Sequence, residues 1–260
     1  MDFEFSAEQL QLRNEARRYL ADKCGAAVPR AVLEGAGSYD KGLWAGLAEM
    51  GFLGAAIPEE YGGLGLGYLE LCVIAEELGR AIAPVPVSSS IFLAAEILKA
   101  AGTEAQKQAW LPRLASGEVI GTLAAIEGMG GGRPSTIKAQ VIGGVLTGDK
   151  SPVLDGDIAD LAVVLARHAP GRDAAGLSLY LVDLSGPGIE RTVLETIDPS
   201  RSQASLTFKG ARAERIGAEG EGWQLYEEAL DRAAILTGFE QIGGADRALE
   251  MARDYALQRF

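Results

Sequence analysis

GEVIGTLAAIEGMGGG, residues 117–132, marks the point at which the chain changes character. Val119, Ile120, Thr122, Leu123 and Ile126 form a short run rich in β-branched side chains, which favours a buried extended strand. The run empties into Gly128, Gly130, Gly131 and Gly132. Missing side chains there let the backbone approach a flat or phosphorylated ligand, or let it run as a plain surface loop. A single carboxylate, Glu127, stands at the junction.

Upstream of this stretch the apolar side chains recur at helical spacing. Ser6-Ala7-Glu8-Gln9 and Thr103-Glu104-Ala105-Gln106 are capping boxes. The pattern predicts helices over 6–24, 26–34, 42–50, 68–78 and 88–101, with another starting at Thr103. Downstream the period falls to two, with β-rich runs at 119–126, 137–142, 145–148, 160–166, 177–183, 189–194 and 204–208 divided by Gly, Pro and Asp. Strands this short and regular predict an antiparallel barrel or sandwich, with Leu161, Val163, Leu165, Leu179, Leu181, Leu206 and Phe208 in its core.

After Gly220 the helical period returns without a proline to Phe260, a length of about 55 Å that suits a helical bundle. The expected fold is α+β and multidomain. An all-helical N-terminal bundle occupies 1–116, a middle β domain 117–220, and the first long helix of a C-terminal helical domain 221–260. That helix carries no C-cap signal, so the natural chain is expected to continue past Phe260.

Composition narrows the function. A net charge of −12 argues against gripping nucleic acid through a general positive field. The acidic, polar N-terminus is unlike a signal peptide, and no run of apolar residues is long enough to span a bilayer, so a cytoplasmic protein is expected. Cys24 and Cys72 fall in helical patterns and read as reduced core thiols. With His168 as the single histidine, neither a metal site nor a Ser-His-Asp arrangement is supported. Acid–base chemistry would fall to a carboxylate or a bound cofactor.

Four motifs then appear in order: PEEYGGLG at 58–65, EELGR at 76–80, GTEAQKQAWLPRLASGE at 102–118 and GEGW at 220–223. Together with the helical, β, helical layout, they make the whole chain resemble the acyl-CoA dehydrogenases. The resemblance implies an FAD-dependent α,β-desaturation of an acyl-CoA thioester, with electron-transfer flavoprotein as the acceptor. It also implies assembly as a homodimer, homotetramer or heterotetramer.

Residue by residue, the resemblance assigns cofactor contacts to Ala125, Ile126, Glu127, Gly131, Gly132, Val153 and Leu154. It assigns substrate contacts to Gly132 and Asp231, and gives Arg259 to the FAD of a neighbouring subunit. Three family hydroxyls are missing, at Ile126, Gly132 and Leu154, and the arginine expected after Asp231 is Ala234. The helix position that carries the base in a minority of the family is Ala233. Glu240, seven residues on, is read either as the α-proton base or as a solvated or inter-subunit carboxylate. Gly243-Gly244 beside it predicts a tight helix contact or a ligand.

Three functions remain open on these residues: an acyl-CoA dehydrogenase or one chain of it, a non-catalytic partner subunit with a degenerate flavin site, and a flavin-dependent oxygenase. These 260 residues alone are expected not to dehydrogenate an acyl-CoA.

Overall fold

The computed structural model describes residues 4–128 and 132–259. Its helices are α1 (Ala7–Lys23), α2 (Ala27–Leu33), α3 (Lys41–Glu49), α4 (Tyr68–Ala81), a π-helix (Ser88–Ala95), α5 (Glu96–Ala101), α6 (Glu104–Ala115) and α7 (Gly222–Gln258). Both capping boxes form. The Ser6 hydroxyl accepts from Gln9 N at 3.2 Å and the Gln9 amide oxygen accepts from Ser6 N at 2.9 Å. Thr103 and Gln106 repeat the exchange at the start of α6. Each satisfies N–H groups that the first helical turn leaves without partners.

The segment expected as one helix over 88–101 is divided between the π-helix and α5. Three consecutive serines at its start meet three different partners. Ser88 Oγ accepts from Arg201 at 2.6 Å, Ser89 Oγ lies 2.6 Å from Asp155, and Ser90 Oγ accepts from Gly121 N at 3.0 Å. The π-helix thereby ties the helical layer to the sheet.

Eight strands, β1 (Gly121–Ala124), β2 (Gln140–Ile142), β3 (Val145–Leu154), β4 (Leu161–Arg167), β5 (Leu177–Asp183), β6 (Ile189–Val193), β7 (Gln203–Arg212) and β8 (Glu214–Ile216), form one sheet. Their order is β6-β7-β3-β2-β4-β5-β8, with β1 paired to β4. Most ladders are antiparallel, as expected, but β1 runs parallel to β4 over 121–124 and 161–164, and β2 meets β4 in parallel at Gln140 and Arg167. The reason lies in β4, where every residue is buried. A continuous apolar run such as LAVVLA suits a strand covered on both faces, the setting in which parallel pairing occurs. β8 was not predicted, because three residues of sequence ERI carry no usable period.

Two cores result. Leu161, Val163, Leu165, Leu179 and Leu181 pack with Ala94, Leu98, Leu111 and the first turns of α7. On the other face Ala162, Val164 and Val182 pack with Val153, Leu206 and Phe208, and this core runs on into α1, α3 and α4. The seven predicted core residues are all buried but divide between these two clusters.

α7 lies across α4 at a crossing made by glycines. A Cβ on Gly243 would fall 1.8 Å from Glu76 O, and one on Gly79 would fall 1.8 Å from Glu240 O. This accounts for Gly243 in a helix interior and for the glycine of EELGR. Ion pairs flank the crossing: Arg80 to Asp246 at 2.6 Å and to Glu250, and Arg17 to the buried Glu77 through two bonds of 2.9 and 2.7 Å. Cys24 and Cys72 are free and buried, and burial pushes each thiol up to about 11. Among the described residues no helix is long and apolar enough to cross a membrane.

Candidate functional site

After Ala124 the chain leaves β4 and crosses to β3. Ser151 N donates to Ile126 O at 2.8 Å, and Glu127 bridges Ser151 in parallel register. Residues 125–127 and 150–154, far apart in sequence, therefore lie side by side. Pro152 falls at the break in the β3–β7 ladder between Lys150 and Val153, where no N–H donor is required.

The strip so formed presents less side chain than its sequence suggests. Ala125 and Val153 are buried, while Ile126 and Leu154 are half-buried. The Leu154 carbonyl accepts from the Thr122 hydroxyl at 2.6 Å, fixing it from β1. Gly128 has φ +75°, and among the described residues nothing lies within 4 Å of where its Cβ would stand.

Glu127 is not a free carboxylate. It accepts from Lys150 Nζ at 2.7 Å and from the backbone N–H groups of Lys138 at 2.7 Å and Ala139 at 2.9 Å. Lys150 is fully buried and also donates to Ala125 O at 3.2 Å. Burial lowers its pKa to about 8, opposed by the charge and hydrogen bond of Glu127. The carboxylate of Glu127 is thus spent on holding 138–139 and β3 against the end of β1. Any ligand contact at this position falls to its backbone.

Gly132 is set against α7, where a Cβ would come 3.2 Å from Tyr226 Oη, and Tyr226 in turn packs on Trp223 with ring centroids 5.3 Å apart. Gly131 lies outside the described residues. Glu240 is half-buried and its carboxylate is ion-paired with Arg201, whose other terminal nitrogen donates to Ser88. Sequence reasoning missed both partners of this cluster. The only available signal was a lone arginine in the loop DPSRS.

Asp231 and Arg259 are both exposed and are not brought into the strip. They are 28 residues apart on or just past one helix, about 42 Å at 1.5 Å per residue, so one small ligand cannot reach both. The Arg259 guanidinium stacks over Tyr255, 5.6 Å from its centroid.

A fixed backbone, a glycine and two apolar side chains fit a flat, largely apolar ring system such as a flavin. At 126, 132 and 154 that fit comes with no side-chain hydroxyl. Among the described residues no cluster of His, Cys, Asp and Glu is arranged to hold a metal. Two surface clefts lie elsewhere: one of about 470 Å³ lined by Val32, Tyr39 and Ile158, and one of about 350 Å³ beside His168, Tyr180 and Arg215.

Comparison with known proteins gives concordant results. The profile of the acyl-CoA dehydrogenase N-terminal domain matches residues 6–118. Acryloyl-CoA reductase (NADH) of Anaerotignum propionicum is 30% identical over the whole chain, which spans 68% of that protein. (2S)-Methylsuccinyl-CoA dehydrogenase of Cereibacter sphaeroides is 32% identical over 82% of the chain and 42% of its own length. The structure of butyryl-CoA dehydrogenase from Megasphaera elsdenii superposes with a TM-score of 0.89 at 25% identity, covering all of this chain and 71% of that one.

Proposed function

The chain belongs to the acyl-CoA dehydrogenase family, and on that premise we propose that it is part of an FAD-dependent enzyme desaturating an acyl-CoA thioester at its α and β carbons. The observation that supports this most is the strip itself: 125–127 and 150–154, separated in sequence, lie side by side with the Ile126 and Leu154 side chains half-buried. FAD, when bound, supplies the hydride acceptor.

In this reading the backbone of 125–127 and the side chains of Ile126 and Leu154 seat the ring system. Gly132 permits close approach of substrate beside Tyr226, Asp231 meets the CoA arm, and Arg259 reaches the FAD of a neighbouring subunit in a homo- or hetero-oligomer. Glu240 takes the α-proton only after leaving Arg201. The proposed electron acceptor is an electron-transfer flavoprotein, and the proposed compartment the cytoplasm.

A second reading is favoured by specific residues. Ile126, Gly132 and Leu154 lack hydroxyls, and Glu240 is held by a guanidinium. Both features suit a partner subunit that keeps the fold while another chain carries the chemistry.

Anaerobic bleaching of flavin absorbance by a panel of acyl-CoAs separates the readings. One flavin per chain in an assembly that bleaches supports the first reading, and these 260 residues by themselves are expected to stay unbleached. Half a flavin per chain in a two-gene complex supports the partner reading. Loss of bleaching in Glu240→Gln assigns the base to Glu240. Equal bleaching places the base elsewhere, and bleaching by the 260-residue chain alone overturns its expected inactivity.

A further inference from the structure

The strip beside Ile126 extends onto a third strand. Leu154 pairs with Gln203 of β7, and paired residues of an antiparallel ladder present their side chains on one face. Ser205, two residues on, shares that face, and half-buried Gln203, Ser205 and Thr207 alternate with buried Ala204, Leu206 and Phe208. Between the pairs Lys150 to Leu206 and Val153 to Ala204 the register shifts, so that Ser151 and Pro152 together oppose Ser205. Such a bulge re-aims a side chain, and here it sets Ser151 Oγ 2.7 Å from Ser205 Oγ. Because Ser151 N donates to Ile126 O at 2.8 Å, this hydroxyl pair adjoins the Ile126 row as well as the Leu154 row.

Two hydroxyls bonded to each other spend one hydrogen and keep one. Either oxygen can be the donor within the pair, and among the described residues neither has a further partner. The hydrogen left over belongs to whichever oxygen accepts, and accepting one bond polarises that hydroxyl for giving another. Neighbouring donors are already committed: Thr207 to Asp149 at 2.6 Å, Lys150 to Glu127 and Ala125, and Thr122 to the Leu154 carbonyl. The Gln203 amide is also without a partner among the described residues. It swings on a longer side chain, whereas the serine pair is held by its own bond across β3 and β7 and loses less freedom on binding.

We propose that Ser151 and Ser205 form a cofactor-binding pair whose free hydrogen is donated to a ring nitrogen or carbonyl oxygen of a flavin seated along Ile126 and Leu154. The proposal rests on the reading of the strip as a flavin seat. It supplies there the side-chain hydroxyl that positions 126, 132 and 154 lack, one row over on the same face as Leu154. A ring system rich in acceptors, seated on apolar side chains alone, leaves those acceptors desolvated and unpaired, and one preset donor relieves part of that cost.

The test uses the complete protein in its natural assembly: wild type, Ser151→Ala, Ser205→Ala, the double alanine variant, Ser205→Thr, Gln203→Leu, and Thr207→Ala as a control whose hydrogen is spent on Asp149. The flavin dissociation constant, visible spectrum and reduction potential are read, with urea unfolding of the flavin-free protein beside them. Each single alanine leaves one hydroxyl with its hydrogen unspent, so it should weaken flavin by about threefold or less, while the double variant should weaken it by about tenfold, more than the two singles combined. The double variant should also shift the spectrum and the potential at an unchanged urea midpoint. Ser205→Thr keeps the donor and should match wild type, as should Thr207→Ala. The proposal is overturned if the double variant keeps the wild-type affinity, spectrum and potential, if its flavin loss is matched by a fall in the urea midpoint or by Thr207→Ala, or if Gln203→Leu loses flavin and the double variant does not. Wild type that takes up no flavin refutes the flavin-seat reading itself and the proposal with it.

Discussion

Gly238, Gly243 and Gly244 lie within two turns of α7, yet replacing them by alanine should have effects of different sign. On Gly243 a Cβ would stand 1.8 Å from Glu76 O and 2.9 Å from Arg80 N, both backbone atoms of α4. To reach even a tight 3.0 Å contact the helices must part by more than 1 Å, which also stretches the Arg80–Asp246 pair at 2.6 Å. Overpacking of a well-packed contact costs about 1–3 kcal/mol, and a backbone obstacle puts this site at the upper end. Alanine recovers about 1 kcal/mol of helix propensity, so the net loss is about 2 kcal/mol.

On Gly238 a Cβ would meet nothing within 4 Å. The same propensity gain then stands unopposed, and Gly238→Ala should stabilise by about 0.5–1 kcal/mol. Gly244, whose Cβ would make ordinary contact at 3.5 Å with Gly79 O, should fall between the two. Urea unfolding of the 260-residue chain at constant m-value measures all three. If Gly243→Ala is as stable as wild type, or if Gly238→Ala loses as much as Gly243→Ala, the crossing is not set by backbone contact and the reasoning is refuted.

Other consequences can be checked in the same assay. Phe208, 1% exposed, should cost about 3–5 kcal/mol when replaced by Ala, and a loss below about 1 kcal/mol would show that it is not core. Lys150→Met leaves Glu127 without its cation and should cost about 3–5 kcal/mol at pH 7. The Lys150 pKa is lowered to about 8 from 10.5, so between these values the unfolded chain binds the extra proton and wild-type stability gains as pH rises. The deficit of Lys150→Met relative to wild type should therefore widen from pH 8 to 10.5, and a constant gap would contradict the assigned shift. Thr103→Ala removes the cap of α6 and should cost about 1 kcal/mol, whereas Thr103→Ser should cost little.

Local chemistry made much of this architecture legible. Ser6 and Thr103 mark helix starts because a cap needs only a hydroxyl and a Gln three residues on, both written in sequence. The change from a helical period to a period of two locates the sheet, since burial on one face of a helix or strand leaves its own spacing. The order of short motifs was enough to indicate the family. Gly243 could be recognised as unusual in a helix interior, whereas Gly79 fell at the expected end of the 68–78 helix, and the facing of the two across a single crossing was not legible.

Only the folded chain decided how charges and polar groups are spent. Glu127 looked like a carboxylate offered to a ligand, and is instead bound to Lys150, 23 residues away. Glu240 could be read as a base or as a solvated or inter-subunit carboxylate, and is paired with Arg201, 39 residues away across the boundary between sheet and helix. Asp155, Asp157, Ser38, Ser89 and Ser202 come from four separate parts of the chain. Sequence periodicity reports which face of an element is buried, because that depends on its own repeat. It carries nothing about which distant partner lies opposite a polar group, and in a desolvated interior that partner determines whether a carboxyl is a structural anion, a neutral acid or a reactive base.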